Sequence, residues 1–261
     1  MLEQIDHSVV DAPGAGRIIE WRLARPPVNA LDPALVARLL TQLQTVPPDV
    51  RALVVSGSPG TFSGGLDVPS LLALDRDAAH EFFQSVWRLQ AAVARAPVPC
   101  IFALTGHCPA GGTVFAMHGD YRVMADGDFR IGLNEVQVGL FPGPPINTAF
   151  ARLVGAQRAA QLLTRGAMLT PRQALQAGLV DELVEPHAVV DRAVAVAREY
   201  ATLPQHVMRR TRDVVRADLV ALFGAPSQDA ASAAEFAAQA DSVWWTDATR
   251  ARLTALFARA K

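Results

Sequence analysis

The chain is poor in cysteine and has no organised set of metal ligands. Cys100 and Cys108 are the only cysteines among 261 residues. They stand eight apart without a partner pattern, so both read as reduced thiols of an intracellular protein, not as part of a disulfide framework. The six histidines (7, 80, 107, 118, 187 and 206) form no His-x-x-x-His pair, and no zinc site is expected. His107 and Cys108 are neighbours in sequence, which turns their side chains apart. An excess of one charge is also missing: 24 basic against 25 acidic residues leave a net charge of −1, too little to draw nucleic acid or an acidic membrane. No run approaches the ~18 apolar residues of a membrane span. The first residues, Met1-Leu2-Glu3-Gln4-Ile5-Asp6-His7, lack the basic end and apolar core of a secretory signal, and Ala258-Arg259-Ala260-Lys261 matches no prenyl or peroxisomal address. A cytoplasmic protein without nucleic-acid or membrane partners is expected.

Several familiar catalytic loops are lacking too. No Lys-Ser/Thr follows a glycine-rich turn, so there is no Walker loop. Gly14-Ala15-Gly16 lacks the third glycine and the following helix of a dinucleotide fingerprint. Ser63 is not in a Gly-x-Ser-x-Gly elbow, which makes a Ser-His-Asp hydrolase a poor reading.

What is present is apolar. Hydrophobic residues make up 51% and charged residues 19%, enough for a well-filled core and contrary to disorder. The length suits one large domain, or a domain with an appended helical segment. Residues 16–24 alternate loosely and predict a strand, paired with another near 3–11. Asp32-Pro33 predicts a helix through about Leu43, capped by Asp32 with Pro33 at its first position. Residues 51–56 and 98–104 read as buried strands of the parallel kind, and 77–96 as an amphipathic helix. A short helix is expected from Gly111 to about His118, with strands at 121–125 and 129–131. Alternating strands and helices indicate an α/β class. From about residue 157 the texture is helical, with Thr170-Pro171, Glu185-Pro186 and Leu203-Pro204 marking helix starts. Residues 204–261 read as almost wholly helical, broken at Gly224–Asp229.

Two turns and one acid carry the chemistry. Phe62-Ser63-Gly64-Gly65-Leu66-Asp67 and Gly106-His107-Cys108-Pro109-Ala110-Gly111-Gly112 can both expose backbone N–H groups. The second leads into a helix, whose first N–H groups lack partners and suit an anionic oxygen. Small residues there could equally serve only close packing of the helix on the sheet. The first turn could likewise be a tight connection with Asp67 satisfying local amides. Glu135 stands as an isolated acid in Ile131-Gly132-Leu133-Asn134-Glu135-Val136-Gln137-Val138-Gly139-Leu140, and alone it could be a helix-terminal or edge residue. With two candidate oxyanion donors it suggests an enzyme that stabilises an enolate and moves a proton. Its apolar neighbours predict a raised pKa.

These segments resemble the crotonase, or enoyl-CoA hydratase/isomerase, superfamily. Arg25-Pro-Pro-Val-Asn-Ala-Leu-Asp32 is similar to its first coenzyme A-binding segment, Phe62–Asp67 and Pro109–Gly112 to its two oxyanion turns, and Asp120-Tyr121-Arg122 to the strand start that follows. Four motifs in this order span most of the chain. In detail the wording is nearest the 3,2-enoyl-CoA isomerases. The hydratases carry a second glutamate three residues after the oxyanion glycine, and that position here is Val114. Phe141-Pro-Gly-Pro-Pro145 departs toward the hydratases.

The resemblance implies a crotonase-like spiral of ββα units over residues 1–200, with oxyanion hole and catalytic acid. It implies a helical segment over 201–261 for oligomerisation and active-site covering. Catalysis would fall to Glu135 with the N–H groups of Leu66 and Gly111. Substrate contacts would come from Ser63, Gly64, Gly65, Asp67, Asn134, Val28 and Ala30. The substrate implied is an acyl-CoA thioester, a 3-enoyl-CoA of fatty acid oxidation, with no separate cofactor and no metal. Assembly as a homotrimer or dimer of trimers is implied as well. Enoyl-CoA hydration, other enolate chemistry, and non-catalytic binding of acyl-CoA are the competing readings. Trp244-Trp245 could pack or line an acyl tunnel, and no role is assigned to Arg250, Arg252, Arg259 and Lys261.

Overall fold

Apolar runs without polar alternation become parallel strands covered on both faces. The computed structural model describes residues 1–8 and 16–258. The end of the strand expected near 3–11, Gly14-Ala15, Arg259 and Lys261 lie outside the described residues. The strands are β1 (Leu2–Ser8), β2 (Arg17–Leu23), β3 (Val50–Ser56), β4 (Gly60–Thr61), β5 (Cys100–Leu104), β6 (Gly106–Pro109), β7 (Tyr121–Ala125), β8 (Ile131–Gly132) and β9 (Glu182–Val184). Six of them form one sheet in the order β1-β2-β3-β5-β7-β9, and three form a second in the order β4-β6-β8. Only β1 runs antiparallel to its neighbour.

The chain passes from a strand of the large sheet to one of the small sheet and then to a helix, three times over. β3 and β4 lead to the helices Val68–Leu72 and Arg76–Ala94. β5 and β6 lead to the helix Gly111–Ala116. β7 and β8 lead to the 3₁₀ turn Glu135–Val138 and the helix Pro144–Val154. This is the expected spiral of ββα units. Along β3, Leu53 and Val55 enter one core while Ala52 and Val54 enter a second, under the helix Val189–Thr202. That burial on both faces explains why the strand is apolar at every position but Arg51 and Ser56.

Helix starts follow their caps. Asp32 accepts the Leu35 N–H at 2.8 Å ahead of the helix Pro33–Gln44. Thr170 and Gln173 form a reciprocal capping box around Pro171. Two features depart from the reading above. Strand β6 occupies a stretch read as a turn, β4 lies just ahead of the other turn where no strand is expected, and β9 lies in the region read as helical. All three are short, and β9 is held by pairing with β7, a tertiary contact that local texture does not record.

The described part of 201–261 is helical and shares the main core. The helix Asp229–Trp244 lies along Arg76–Ala94 and buries Ala233, Phe236, Ala237 and Trp244. Trp244 meets Phe83 edge-on at 5.5 Å. Trp245 is flanked by the guanidinium groups of Arg76 and Arg250, at 5.0 and 4.7 Å.

Candidate active site

The small sheet gathers the site. Its three parallel strands each release the chain at their carboxyl ends, and the segments that leave carry Leu66, Gly111 and Glu135. Phe62 N–H donates to His107 O at 2.9 Å, tying the first turn to β6. Ala110 N–H donates to Gly132 O at 2.8 Å, and Gly132 N–H to Thr113 Oγ1 at 3.0 Å, tying the second turn to β8. Glu135 follows three residues after Gly132.

The two turns nearly touch. A Cβ placed on Gly111 would stand 3.0 Å from the Leu66 nitrogen, and one on Gly65 would stand 3.1 Å from the Gly111 nitrogen. Gly65 has φ +87° and Ala110 has φ +47°. The second value is strained for a residue with a side chain, and it turns the Gly111 amide out of the local hydrogen bonding. Other amides of the first turn are occupied: Gly64 N–H donates to Val28 O at 2.7 Å and Gly65 N–H to Ser63 Oγ at 3.2 Å. Neither Leu66 N–H nor Gly111 N–H donates a hydrogen bond among the described residues. Two adjacent unpartnered donors, one at a helix N-terminus, have the chemistry that suits an oxygen with negative charge.

Glu135 begins a 3₁₀ turn after Asn134. Its Oε2 is buried without a hydrogen-bond partner. Burial pushes its carboxyl up from the ordinary value to about 7, as the apolar surroundings predicted. A hydrogen bond from its own backbone opposes that rise without cancelling it. A carboxyl so poised can take a proton at neutral pH and give it back.

Leu66, Gly111 and Glu135 line one cavity of about 200 Å³, together with Gly64 and Asn134. Its walls are otherwise almost wholly apolar, and among the described residues Glu135 is its only ionisable lining group. Val114 lines it as well. The remaining sequence candidates lie behind or beside it. Ser63 is fully buried and donates to Asn29 O at 2.8 Å. Asp67 pairs with Arg25 and caps the helix Val68–Leu72 through Ser70 N–H. The polar atoms of Ser63 and Asp67 are thus taken up within the chain, where they shape the turn. Val28 is exposed, and Ala30 is buried beneath the first segment.

The sequence reading missed the far walls. Phe83, Val86, Leu89 and Gln90 come from the helix Arg76–Ala94, and Phe236, Ala240 and Val243 from Asp229–Trp244. Leu253 and Leu256 of the helix Asp247–Ala258 close another side. That helix is fastened to the Glu135 turn by Thr249 Oγ1 donating to Gly139 O at 3.0 Å. In Arg76–Ala94 the amphipathic period says that a face is buried but not what it faces, and the last two helices carry little such period to read. Among the described residues no cluster of three His, Cys, Asp or Glu could hold a metal ion, and no helix is long and apolar enough to cross a membrane.

Comparison with known proteins bears on the family and the fold. The family model described as enoyl-CoA hydratase/isomerase matches residues 14–241. The chain is similar to the mitochondrial enoyl-CoA delta isomerase 1 of Rattus norvegicus, with 30% identity over 80% of this chain and 73% of that protein. It is also similar to a probable enoyl-CoA hydratase of Mycobacterium avium, with 33% identity over 71% of this chain and 73% of that protein. Among solved structures, human mitochondrial delta3-delta2-enoyl-CoA isomerase aligns with a TM-score of 0.86 and 25% identity, over 100% of this chain and 97% of that one.

Proposed function

The chain belongs to the enoyl-CoA hydratase/isomerase (crotonase) family, and from that premise we propose that it converts 3-enoyl-CoA to 2-trans-enoyl-CoA with Glu135 as the sole proton carrier. The thioester oxygen sits between the N–H groups of Leu66 and Gly111. Glu135 Oε2 removes a proton from C2, and the resulting dienolate is held by those two donors. The protonated carboxyl then delivers the proton to C4, and the double bond moves into conjugation with the thioester. Each aimed amide contributes ~10²–10³ in rate, and a positioned base ~10²–10⁴. The backbone of the segment around Val28 and Ala30 meets the coenzyme A moiety. A homotrimer or dimer of trimers accompanies this reading. It is favoured by the exposed apolar side chains of Leu203, Val207, Val214 and Val215, and sedimentation tests it.

One observation carries the proposal: a single carboxyl, raised to about 7, shares an apolar cavity with two open amides. Hydration is the second reading, favoured by the resemblance to probable hydratases. Adding water across the double bond calls for a second acid to place that water. The matching position, Val114, is an apolar and nearly buried part of the wall.

The test supplies 3-enoyl-CoA and 2-trans-enoyl-CoA separately, following conjugation by thioester absorbance and hydration by product analysis. Isomerisation is expected to exceed hydration by at least about tenfold, the weight of one missing acid–base group being larger still. Dominant hydration would overturn the isomerase assignment, and no turnover of either substrate would favour a binding role. Val114→Glu is expected to introduce measurable hydration; an unchanged product ratio would show that this wall does not face the reacting carbons.

A further inference from the structure

The acyl side of the cavity is a trench between two antiparallel helices, and one end of it is polar. His80 Nδ1 meets Asp241 Oδ2 at 2.6 Å, and Arg95 Nη1 meets Asp229 Oδ1 at 2.9 Å. These contacts pin Arg76–Ala94 against Asp229–Trp244 at opposite ends. From the first helix Phe83, Val86 and Gln90 line the trench, at i, i+3 and i+7. From the second come Phe236, Ala240 and Val243, at i, i+4 and i+7. The antiparallel pairing sets Phe83 beside the Val243 end and Gln90 beside the Phe236 end. Seven residues at about 1.5 Å per residue separate Gln90 from Phe83 by roughly 10 Å along the axis.

Gln90 is 1% exposed. Its Nε2 donates to Val86 O of its own helix at 3.3 Å, and its Oε1 has no hydrogen-bond partner. Besides Glu135 and Asn134, it is the one polar side chain in the wall among the described residues. A buried acceptor without a donor costs stability, and leucine or methionine would complete the wall without that cost. The open oxygen belongs to a residue that lines the trench, where a donor entering it could meet that acceptor.

We propose that Gln90 determines substrate choice by accepting a hydrogen bond from a hydroxyl on the acyl chain, so that hydroxylated acyl thioesters are preferred over plain hydrocarbon ones. The inference rests on the acyl-CoA reading above and deepens it. A site built to bond a hydroxyl discriminates against the analogue that lacks it, because its own buried group is then left unpaired.

The test is calorimetric titration of the full chain with saturated, unreactive acyl-CoA thioesters over a ladder of lengths. Each is compared with its derivatives carrying one hydroxyl at successive positions. In the wild-type protein one hydroxyl position should bind about fivefold tighter than the unsubstituted chain, the size of an ordinary hydrogen bond. Gln90→Leu and Gln90→Met should abolish that preference, bind the unsubstituted chain at least as tightly, and melt no lower than wild type. Absence of any preferred position, or a preference that survives both substitutions, would overturn the inference and leave the isomerase reading standing. So would tighter binding of plain chains by Gln90→Leu when wild type shows no hydroxyl preference, since the amide would then hold only water. Failure of the folded protein to bind any thioester would overturn both.

Discussion

Glu20 and Glu135 are both withdrawn from water, and the fold treats them in opposite ways. Glu20, on β2, is 1% exposed. It receives Ser56 Oγ at 2.5 Å, His7 Nε2 at 3.0 Å and Arg22 Nη2 at 3.1 Å. Burial draws its pKa upward, but the bonds from Ser56, His7 and Arg22 outweigh that and hold it below the ordinary value. Glu135 keeps a buried Oε2 with no partner, and burial carries it to about 7. Burial alone therefore does not raise a carboxyl. Burial with an acceptor left open does, and the Leu66 and Gly111 amides, which line the same cavity as Glu135, are open in the same way.

The largest break in this comparison comes from Glu135→Gln, which keeps the shape and removes the base. Isomerase turnover should fall by ~10³, within the ~10²–10⁴ range of a positioned base, when followed by thioester absorbance. In the wild-type protein kcat/KM should rise with pH through an apparent pKa of about 7, reporting the free carboxyl. A variant that keeps a tenth of the activity would return Glu135 to the same class as Glu20. Gly111→Ala comes next. Its methyl would stand 3.0 Å from the Leu66 nitrogen and 3.2 Å from Leu66 Cδ2, crowding both open donors. Turnover should fall ~10², the weight of about one oxyanion donor, with the helix Gly111–Ala116 retained by circular dichroism. Full activity would mean that the substrate oxygen lies elsewhere.

Glu20→Gln should do the reverse, sparing turnover per folded molecule and lowering stability. Loss of charge-assisted bonds at a buried site costs about 2–3 kcal/mol, readable in denaturant unfolding near neutral pH. The folded-state pKa of Glu20 lies below its unfolded value, so its stabilisation is present at neutral pH and disappears as pH falls through the folded value. The gap between Glu20→Gln and wild type should close on acidification. A gap that stays constant would mean that the cost is packing and not charge.

These two carboxyls also mark how far the sequence could be read. Glu135 was legible because it interrupts an apolar run after two glycine turns, and its raised pKa followed from its neighbours. Asp32-Pro33 and Thr170-Pro171 were legible because a cap is a local bargain between one side chain and nearby amides. Ser63 and Asp67 carry the same polar groups whether they face a ligand or the chain, and only the fold shows them bonded to Asn29, Arg25 and Ser70. Strands β4 and β8 are two residues each and exist because β6 lies between them; no period announces β4, while β8 is expected slightly early, at 129–131. Gln90 reads in sequence as an ordinary polar position on an amphipathic helix. Its burial depends on Asp229–Trp244, which begins 139 residues later.

The finest effect sharpens the comparison through stability alone. The folded-state pKa of Glu135 is raised, so folding favours its protonated form, and the native protein holds more protons than the unfolded chain between pH 4.5 and about 7. Stability therefore falls as pH rises through that window, the opposite sign to Glu20. Glu135→Gln removes the charge that resists burial. Above pH 7 the variant should be more stable than wild type by at most about 2–3 kcal/mol, since each pKa unit corresponds to about 1.4 kcal/mol and solvent at the open side of the site reduces it. Below pH 4.5 both states are protonated, and the two proteins should unfold together. The pair Glu20→Gln and Glu135→Gln thus makes a matched experiment: one loses stability at neutral pH, the other gains it, and both differences vanish in acid. If Glu135→Gln were instead destabilising above pH 7, Oε2 would have a partner in solution, and the separation between a structural and a catalytic buried acid would fail at its most direct point.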